Sequence, residues 1–214
     1  MNNLLDPAML DNAINAFTTL FVVIDPIGNA PIFLALTVGA TAAERRRIAV
    51  RGVLVAAMIL AVFALAGREV LDFVGISMPA FRIAGGLLLF LTALDMLFEK
   101  RTERREKRAE EEVDDPSVFP LALPLIAGPG TITALILLMH EHEGSTAGQV
   151  MVMVVLGVLL LMVLGFLLLA GPLERLLKRT GTMVVTRVLG MLLAALAVQF
   201  VLDGLKGVGA LPAG

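Results

Sequence analysis

The sequence contains no cysteine, tryptophan or tyrosine, and only 17% of its residues are charged. Without cysteine, disulfides and thiolate metal sites are excluded, and the redox compartment is left undetermined. The aromatic belts that usually mark membrane interfaces are missing too, so phenylalanine and arginine have to mark the ends of any spans. No glycine-rich phosphate loop with its lysine occurs, which argues against ATP-driven transport by this chain alone.

Apolar sequence is what the chain has in abundance. Hydrophobic residues make up 58% and the mean hydropathy is +0.91. Apolar runs close to the roughly 20 residues that cross a bilayer recur from end to end. The pattern predicts an all-α polytopic membrane protein with six transmembrane helices, at residues 13–38, 48–66, 81–98, 119–139, 150–170 and 187–202.

Basic residues are concentrated after the first, third and fifth predicted spans. By the positive-inside rule these three loops are cytoplasmic and both termini lie outside. We therefore expect a multi-pass protein of a prokaryotic inner (plasma) membrane, with lipid as its surrounding partner. The residues that set this orientation are Arg45, Arg46, Arg47, Arg51, Lys100, Arg101, Arg104, Arg105, Lys107, Arg108, Arg175, Lys178 and Arg179.

The two halves of the chain resemble each other at an offset of about 104 residues. Each half holds three predicted spans, an odd number, so the second copy would enter the membrane from the opposite side. This predicts two inverted three-helix repeats, residues 1–98 and 119–214, joined by a charged cytoplasmic linker at 99–118. The matching pairs are Pro26 with Pro129, Gly67 with Gly171, Gly75 with Gly181, Arg82 with Arg187 and Gly85 with Gly190.

The first span carries a carboxylate, an amide, a glycine and two prolines within seven residues: Asp25, Pro26, Gly28, Asn29 and Pro31. Proline removes a backbone donor and glycine loosens the chain, so the helix is predicted to break over residues 25–31, near the membrane midplane. Asp25 followed by proline is typical of a helix cap, and Asn29 is the alternative cap. An ionisable residue inside a span usually has a function.

The fourth span is predicted to break in the same way at Gly128, Pro129, Gly130 and Thr131, with Thr133 nearby as a second hydroxyl. Gly128 before Pro129 resembles a helix start, with Thr131 as the alternative cap. The N-terminus of a half-helix presents free N–H groups and the positive end of its dipole. Two such ends suit a carboxylate, and Asp25 suits an ammonium, so a small zwitterion fits; an inorganic anion would fit the helix ends as well.

Other polar residues point less clearly to a site. Gln199 is a further candidate for substrate contact, with a structural hydrogen bond inside the bundle as the alternative. Asp95 and Asp203 are predicted to lie at the membrane interfaces. The run His140, Glu141, His142, Glu143 looks metal-like but falls in a loop, and no metal site is predicted there.

Three motifs in this order resemble the MarC family of bacterial and archaeal inner-membrane proteins, and the resemblance covers essentially the whole chain. They are residues 25–33, 82–86 and 127–133. The resemblance implies a six-span membrane protein, and some members are assigned as transporters of small neutral amino acids such as glycine and alanine. The residues carried over are Asp25, Pro26, Gly28, Asn29, Pro31, Gly128, Pro129, Gly130, Thr131 and Thr133.

The expected function is secondary transport of a small neutral amino acid, with H⁺ or Na⁺ as coupling ion and no other cofactor. No nucleic-acid partner is expected, and the oligomeric state, the direction of transport and the coupling ion stay open. The alternatives are export of another small solute or ion, and a non-transporting membrane scaffold in which Asp25 is only a cap and the prolines only packing kinks. An intramembrane enzyme is not expected, because no histidine lies within a predicted span.

Overall fold

The computed structural model describes residues 7–98 and 115–212, without the side chains of residues 177–179. Within those ranges the secondary structure is helical, which confirms the predicted all-α class. An irregular segment, Ser117–Ile126, precedes the fifth helix. The helices are α1 Pro7–Ile24, α2 Pro26–Leu36, α3 Ala42–Val74, α4 Met78–Leu97, α5 Pro129–Glu141, α6 Thr146–Leu168 and α7 Ala170–Gly207.

Five of these stretches are long and apolar enough to cross a membrane, and α1 with α2 counts as one of them. The irregular segment and α5 form a sixth if they are taken together, bent by 53° at the break between them. The fold is therefore that of a polytopic membrane protein with five or six spans.

α3 and α7 are much longer than predicted, because the prediction ended both beside charged residues, and α4 begins three residues earlier than predicted, at Met78. α3 has 33 residues, α4 has 20 and α7 has 38. A helix can continue into the head groups, where water satisfies its charged side chains. The capping box of Thr41 and Glu44 begins α3, and Gly75, with φ 80°, ends it. The basic turn predicted at Arg175 is likewise helical and belongs to α7.

The first half of the fourth predicted span is not a regular helix. Phe119 and Leu123 have extended backbone angles, and each precedes a proline. A proline disfavours the helical conformation of the residue before it, so Pro120 and Pro124 interrupt this stretch twice. The Ala127 N–H closes the segment by donating to the Ala122 carbonyl at 2.9 Å, five residues back.

The two broken helices occupy the centre of the bundle. In the most apolar stretch of Pro7–Leu36, 61% of residues are buried, against 28–39% in the other long spans. In α5, almost every residue from Gly130 to Met139 is buried. The broken helices thus lie inside a ring of lipid-facing helices, where irregular backbone is protected from hydrocarbon.

The most extensive pairing outside this centre is between α4 and α7. Small residues on both helices let them approach closely: a Cβ on Gly86 would lie 2.8 Å from the Ala197 carbonyl oxygen, and one on Gly190 would lie 3.0 Å from the Met96 Cβ. At the other end, Gly204 lies against Pro79. Residues near the start of α4 contact residues near the end of α7, and the reverse holds at the other end, so the two helices are antiparallel.

This pairing is reciprocal in the register of the predicted repeat. Gly85-Gly86 corresponds to Gly190, and the partners of Gly86, Ala197 and Val201, correspond closely to Ala93 and Met96, the partners of Gly190. Reciprocal contacts of this kind are what a two-fold axis produces. They support the inverted repeat, which stays a prediction. The division into repeats and linker stays a prediction too, since most of the linker lies outside the described residues.

Candidate functional site

The first break is narrower than predicted and consists of Asp25 alone. Asp25 has φ 52° and ψ 65°, a left-handed conformation that aspartate tolerates better than most residues. Its carboxylate accepts from the Gly28 N–H at 3.0 Å, which caps α2, and Pro26 begins that helix. The predicted cap at Asp25 is confirmed. Asn29 and Pro31 do not belong to the break, because α2 continues through both.

Asn29 repairs the hydrogen bonding that the break disturbs. In an unbroken helix the Gly28 N–H would donate to the Ile24 carbonyl. That N–H is taken by Asp25, and the Asn29 side-chain amide donates to the Ile24 carbonyl instead, at 2.8 Å. Asp25 and Asn29 are 1% and 0% exposed, so both polar side chains are buried inside the protein. Buried polar groups of this kind are expensive unless they are satisfied.

The second break has the same outline without the polar side chains. Gly128 caps α5 and Pro129 is its first residue, as predicted, but no side chain caps the helix. The first helical hydrogen bond runs from the Ile132 N–H to the Gly128 carbonyl at 3.0 Å. The backbone N–H groups at the start of α5 therefore have no side-chain acceptor, and Gly130 and Thr131 around them are buried.

The segments that flank the two breaks are in contact. A Cβ on Gly130 would lie 3.4 Å from Val23 Cγ1, two residues before Asp25, and 2.8 Å from Leu89 Cδ2 of α4. One turn along α5, Thr133 packs directly against Gly85 of the same helix α4. Residues of the second and third motifs, Gly85, Gly130 and Thr133, thus meet in one buried region. Val23, two residues before the first motif, lies against it. Pro129 is the exception among the second-break residues, because it is exposed.

Gln199 is not in this region and does not face the interior as predicted. Its side chain is exposed and its amide donates to Asp203 Oδ1 of the same helix at 2.9 Å. Asp203 also lies 3.7 Å from Lys206 Nζ, as expected of an interfacial residue.

A cavity of about 130 Å³ lies away from the breaks, between α3 and the far end of α5, where Arg68, His140 and Glu143 line it. The sequence did not predict this cavity or the ion pairs beside it, because side chains contributed by different helices leave no regular spacing in the sequence. Within the described ranges no group of three histidine or acidic residues is placed to hold a metal ion.

Comparison with known protein families assigns the chain to a family. Residues 10–209 match the profile of the MarC family integral membrane proteins. The chain belongs to the MarC family. The match covers both breaks and all seven helices but for a few terminal residues of α1.

Curated MarC relatives come from archaea and bacteria. A membrane protein of Archaeoglobus fulgidus is 42% identical over 193 residues, which is 89% of this chain and 90% of the relative. YvbG of Bacillus subtilis is 36% identical over 93% of this chain and 96% of its own length. YhcE of Escherichia coli is 35% identical over 90% of this chain and 91% of its own. Their names specify membrane proteins and no substrate, and no solved structure matches the chain.

Proposed function

We propose that this MarC protein is a secondary transporter of small neutral amino acids, of the glycine and alanine class, across the inner membrane. The observation that carries the proposal is the contact inside the bundle between Val23, two residues before the first break, and Gly130 at the start of α5. Broken helices that meet in the membrane core are the usual substrate site of secondary transporters. Alternating access would then take place around this pair.

The two breaks offer complementary chemistry to a zwitterion. The uncapped N-terminus of α5 presents backbone N–H groups and the positive end of a helix dipole, which suit a carboxylate. The Asp25 carboxylate, 1% exposed, is the acid at the other break. It can serve as the partner of an ammonium or as the acid that couples transport to H⁺ or Na⁺. The close packing around Gly130 favours a substrate with little side chain.

The test is uptake or exchange of labelled glycine and alanine by purified protein in liposomes, under imposed H⁺ and Na⁺ gradients. Uptake that follows one of the gradients is the expected result. Absence of transport of either amino acid under every gradient would remove this substrate class. A thermal-shift screen across amino acids, organic anions and metal ions then tests the alternative, export of another small solute or ion.

The role of Asp25 is tested with Asp25→Asn, which keeps the cap but removes the charge. Transport should fall at least tenfold, or lose its dependence on pH. Asp11→Asn is the matched control, because Asp11 lies on the exposed surface of α1, the helix that ends just before Asp25. Wild-type transport and pH dependence in Asp25→Asn would show that the charge has no part in transport.

A non-transporting membrane scaffold is the second candidate, and one observation favours it. The break residues are tightly packed, and the cavity that the structure shows lies elsewhere. A scaffold predicts that cysteines placed at the breaks never react with water-soluble thiol reagents. A transporter predicts reaction from one or both sides of the membrane.

A further inference from the structure

The far end of α5 is tied to the first half of the chain by two ion pairs, which we call the latch. Arg82 of α4 donates through Nη2 to Glu141 Oε1 at 3.0 Å. Arg68 of α3 pairs with Glu143, just beyond α5. Both acids thus belong to α5 and its end, and the arginines belong to α3 and α4, two of the helices on which α5 packs.

The cavity of about 130 Å³ lies directly beside the latch. One water needs only roughly 10–15 Å³ of such volume, so the cavity has room for several. Arg68 and Glu143 belong to both the latch and the cavity wall, and Ile136 forms part of the wall toward the membrane core.

One face of α5 runs from the cavity to the second break. Pro129, Thr133, Ile136 and His140 follow each other at intervals of three or four residues, which places them on one side of the helix. The distance from Pro129 to His140 along the helix axis is about 16 Å, at about 1.5 Å per residue. The cavity covers the Ile136 and His140 end of this face.

Two glycine contacts close the rest of the face. A Cβ on Gly67 of α3 would lie 2.6 Å from Ile136 Cγ1, so α5 lies as close to α3 as the glycine allows. Gly85 of α4 is in the same position against Thr133, where a Cβ would overlap the Thr133 methyl group. Between the cavity and the break, α5 is therefore sealed to both helices without polar contacts.

We propose that the latch is one gate of the transport pathway, and that α5 moves away from α3 and α4 to join the cavity to the second break. This inference rests on the proposed function. Ion pairs that remain in contact with solvent contribute little net stability, and both latch pairs are partly exposed, so the latch can open and close readily. At Gly67 and Gly85 no side chain of α3 or α4 projects toward α5, so α5 can separate from these helices there. In the predicted orientation this is the outer gate.

The experiment uses the natural absence of cysteine. Thr133→Cys, alone, is the reporter, because Thr133 is 7% exposed between the cavity and the break. The protein in liposomes is exposed to a membrane-impermeant maleimide from each face in turn. Adding Glu141→Gln and Glu143→Gln together, which abolishes both ion pairs, should accelerate labelling at least tenfold from the latch face.

Glu69→Gln is the matched control, since Glu69 lines the same cavity but belongs to neither latch pair. It should leave the labelling rate within about twofold of the reporter alone. Equal labelling in the latch variant and the control would overturn the gate, and so would acceleration from the opposite face only. The readout requires no substrate: labelling that follows the latch without amino-acid transport leaves the gate standing and removes the substrate class.

A second measurement guards against a variant that merely loosens the fold. In Gly85→Cys with Thr133→Cys, the two Cβ atoms would lie about 3.3 Å apart, close to the roughly 3.5–4.5 Å of a disulfide. The disulfide should form quickly with the latch intact and several-fold more slowly in the latch variant, while both elute as single folded species. Equal rates of formation would contradict movement of α5.

Discussion

The two breaks have the same outline and opposite chemistry. At the first, Asp25 caps α2 and the Asn29 amide donates to the Ile24 carbonyl that the break sets free, so the chain's own side chains satisfy the break. At the second, Gly128 precedes α5 and no side chain caps the helix. Since Val23 and Gly130, which flank the breaks, are in contact, the capped break lies near the uncapped one.

This difference indicates that the first break serves the stability of the fold, whereas the second break has backbone groups that a ligand can bind. A cap that is buried and hydrogen-bonded stabilises the break whether or not anything binds. Uncapped N–H groups at the start of a buried helix are left for another acceptor. We therefore expect substitutions at the first break to affect stability most, and those at the second to affect binding more than folding.

Gly28→Ala should have the largest effect on stability. A Cβ at Gly28 would overlap the Asp25 carboxylate, whose Cγ would be 2.7 Å away, so the cap is expelled. Overpacking together with the lost cap should cost roughly 3 kcal/mol in free energy of unfolding. Gly165→Ala in α6 is the control, because a Cβ there meets nothing within 4 Å. Reversible unfolding in detergent measures both, and equal stabilities would contradict the cap.

Asp25→Ala should come next, at about 2 kcal/mol of lost stability. Alanine removes the cap and is poorly suited to a φ of 52°. Asp25→Asn keeps an acceptor oxygen and tolerates the left-handed conformation, so it should stay within about 0.5 kcal/mol of wild type. If asparagine proved as destabilising as alanine, the charge rather than the cap would be what stabilises the first break.

Gly85→Ala tests the packing beside the second break. The added Cβ overlaps the Thr133 methyl group, and we expect a loss of about 1–2 kcal/mol. Thr133→Ser removes that methyl group, so the double variant should recover most of the loss, giving a favourable coupling energy in a double-mutant cycle. Additive effects would mean that Gly85 and Thr133 do not share this contact.

The smallest effect is expected at Asp115, the acid that precedes the irregular segment. The Ser117 hydroxyl donates to its carboxylate and Arg51 lies 2.7 Å away, which hold the pKa of Asp115 below its usual value of 3.8. Because the pKa is lowered in the fold, the stabilisation is present above about pH 4 and is lost as the pH falls through the lowered pKa.

The Asp115 side chain is 34% exposed, so Asp115→Asn should cost only about 0.5 kcal/mol at pH 7, and less in high salt. Thermal unfolding at pH 7 and pH 3 measures it, and the difference between wild type and variant should shrink at pH 3. An undiminished difference there would mean that the hydrogen-bonded charge is not what stabilises this segment.

Parts of the site could be predicted because they depend on local chemistry. Proline and glycine inside apolar runs marked both breaks, and the Asp25 cap followed from its place before Pro26. The width of the first break could not be predicted, since a proline inside a helix can either kink it or end it, and α2 continues through Pro31. The ends of α3 and α7 were also predicted wrongly, because a helix can continue through charged residues into the head groups.

By itself the sequence determined the helical class, the membrane setting, the family and the positions of the two breaks, because each depends on hydropathy or on the backbone chemistry of single residues. Only the tertiary structure decided that Val23 meets Gly130, that Gln199 faces outward, and that Arg82 and Arg68 reach the acids at the end of α5. The three contacts between helices join residues that are between 59 and 107 positions apart along the chain, and nothing in local sequence specifies which helices lie side by side.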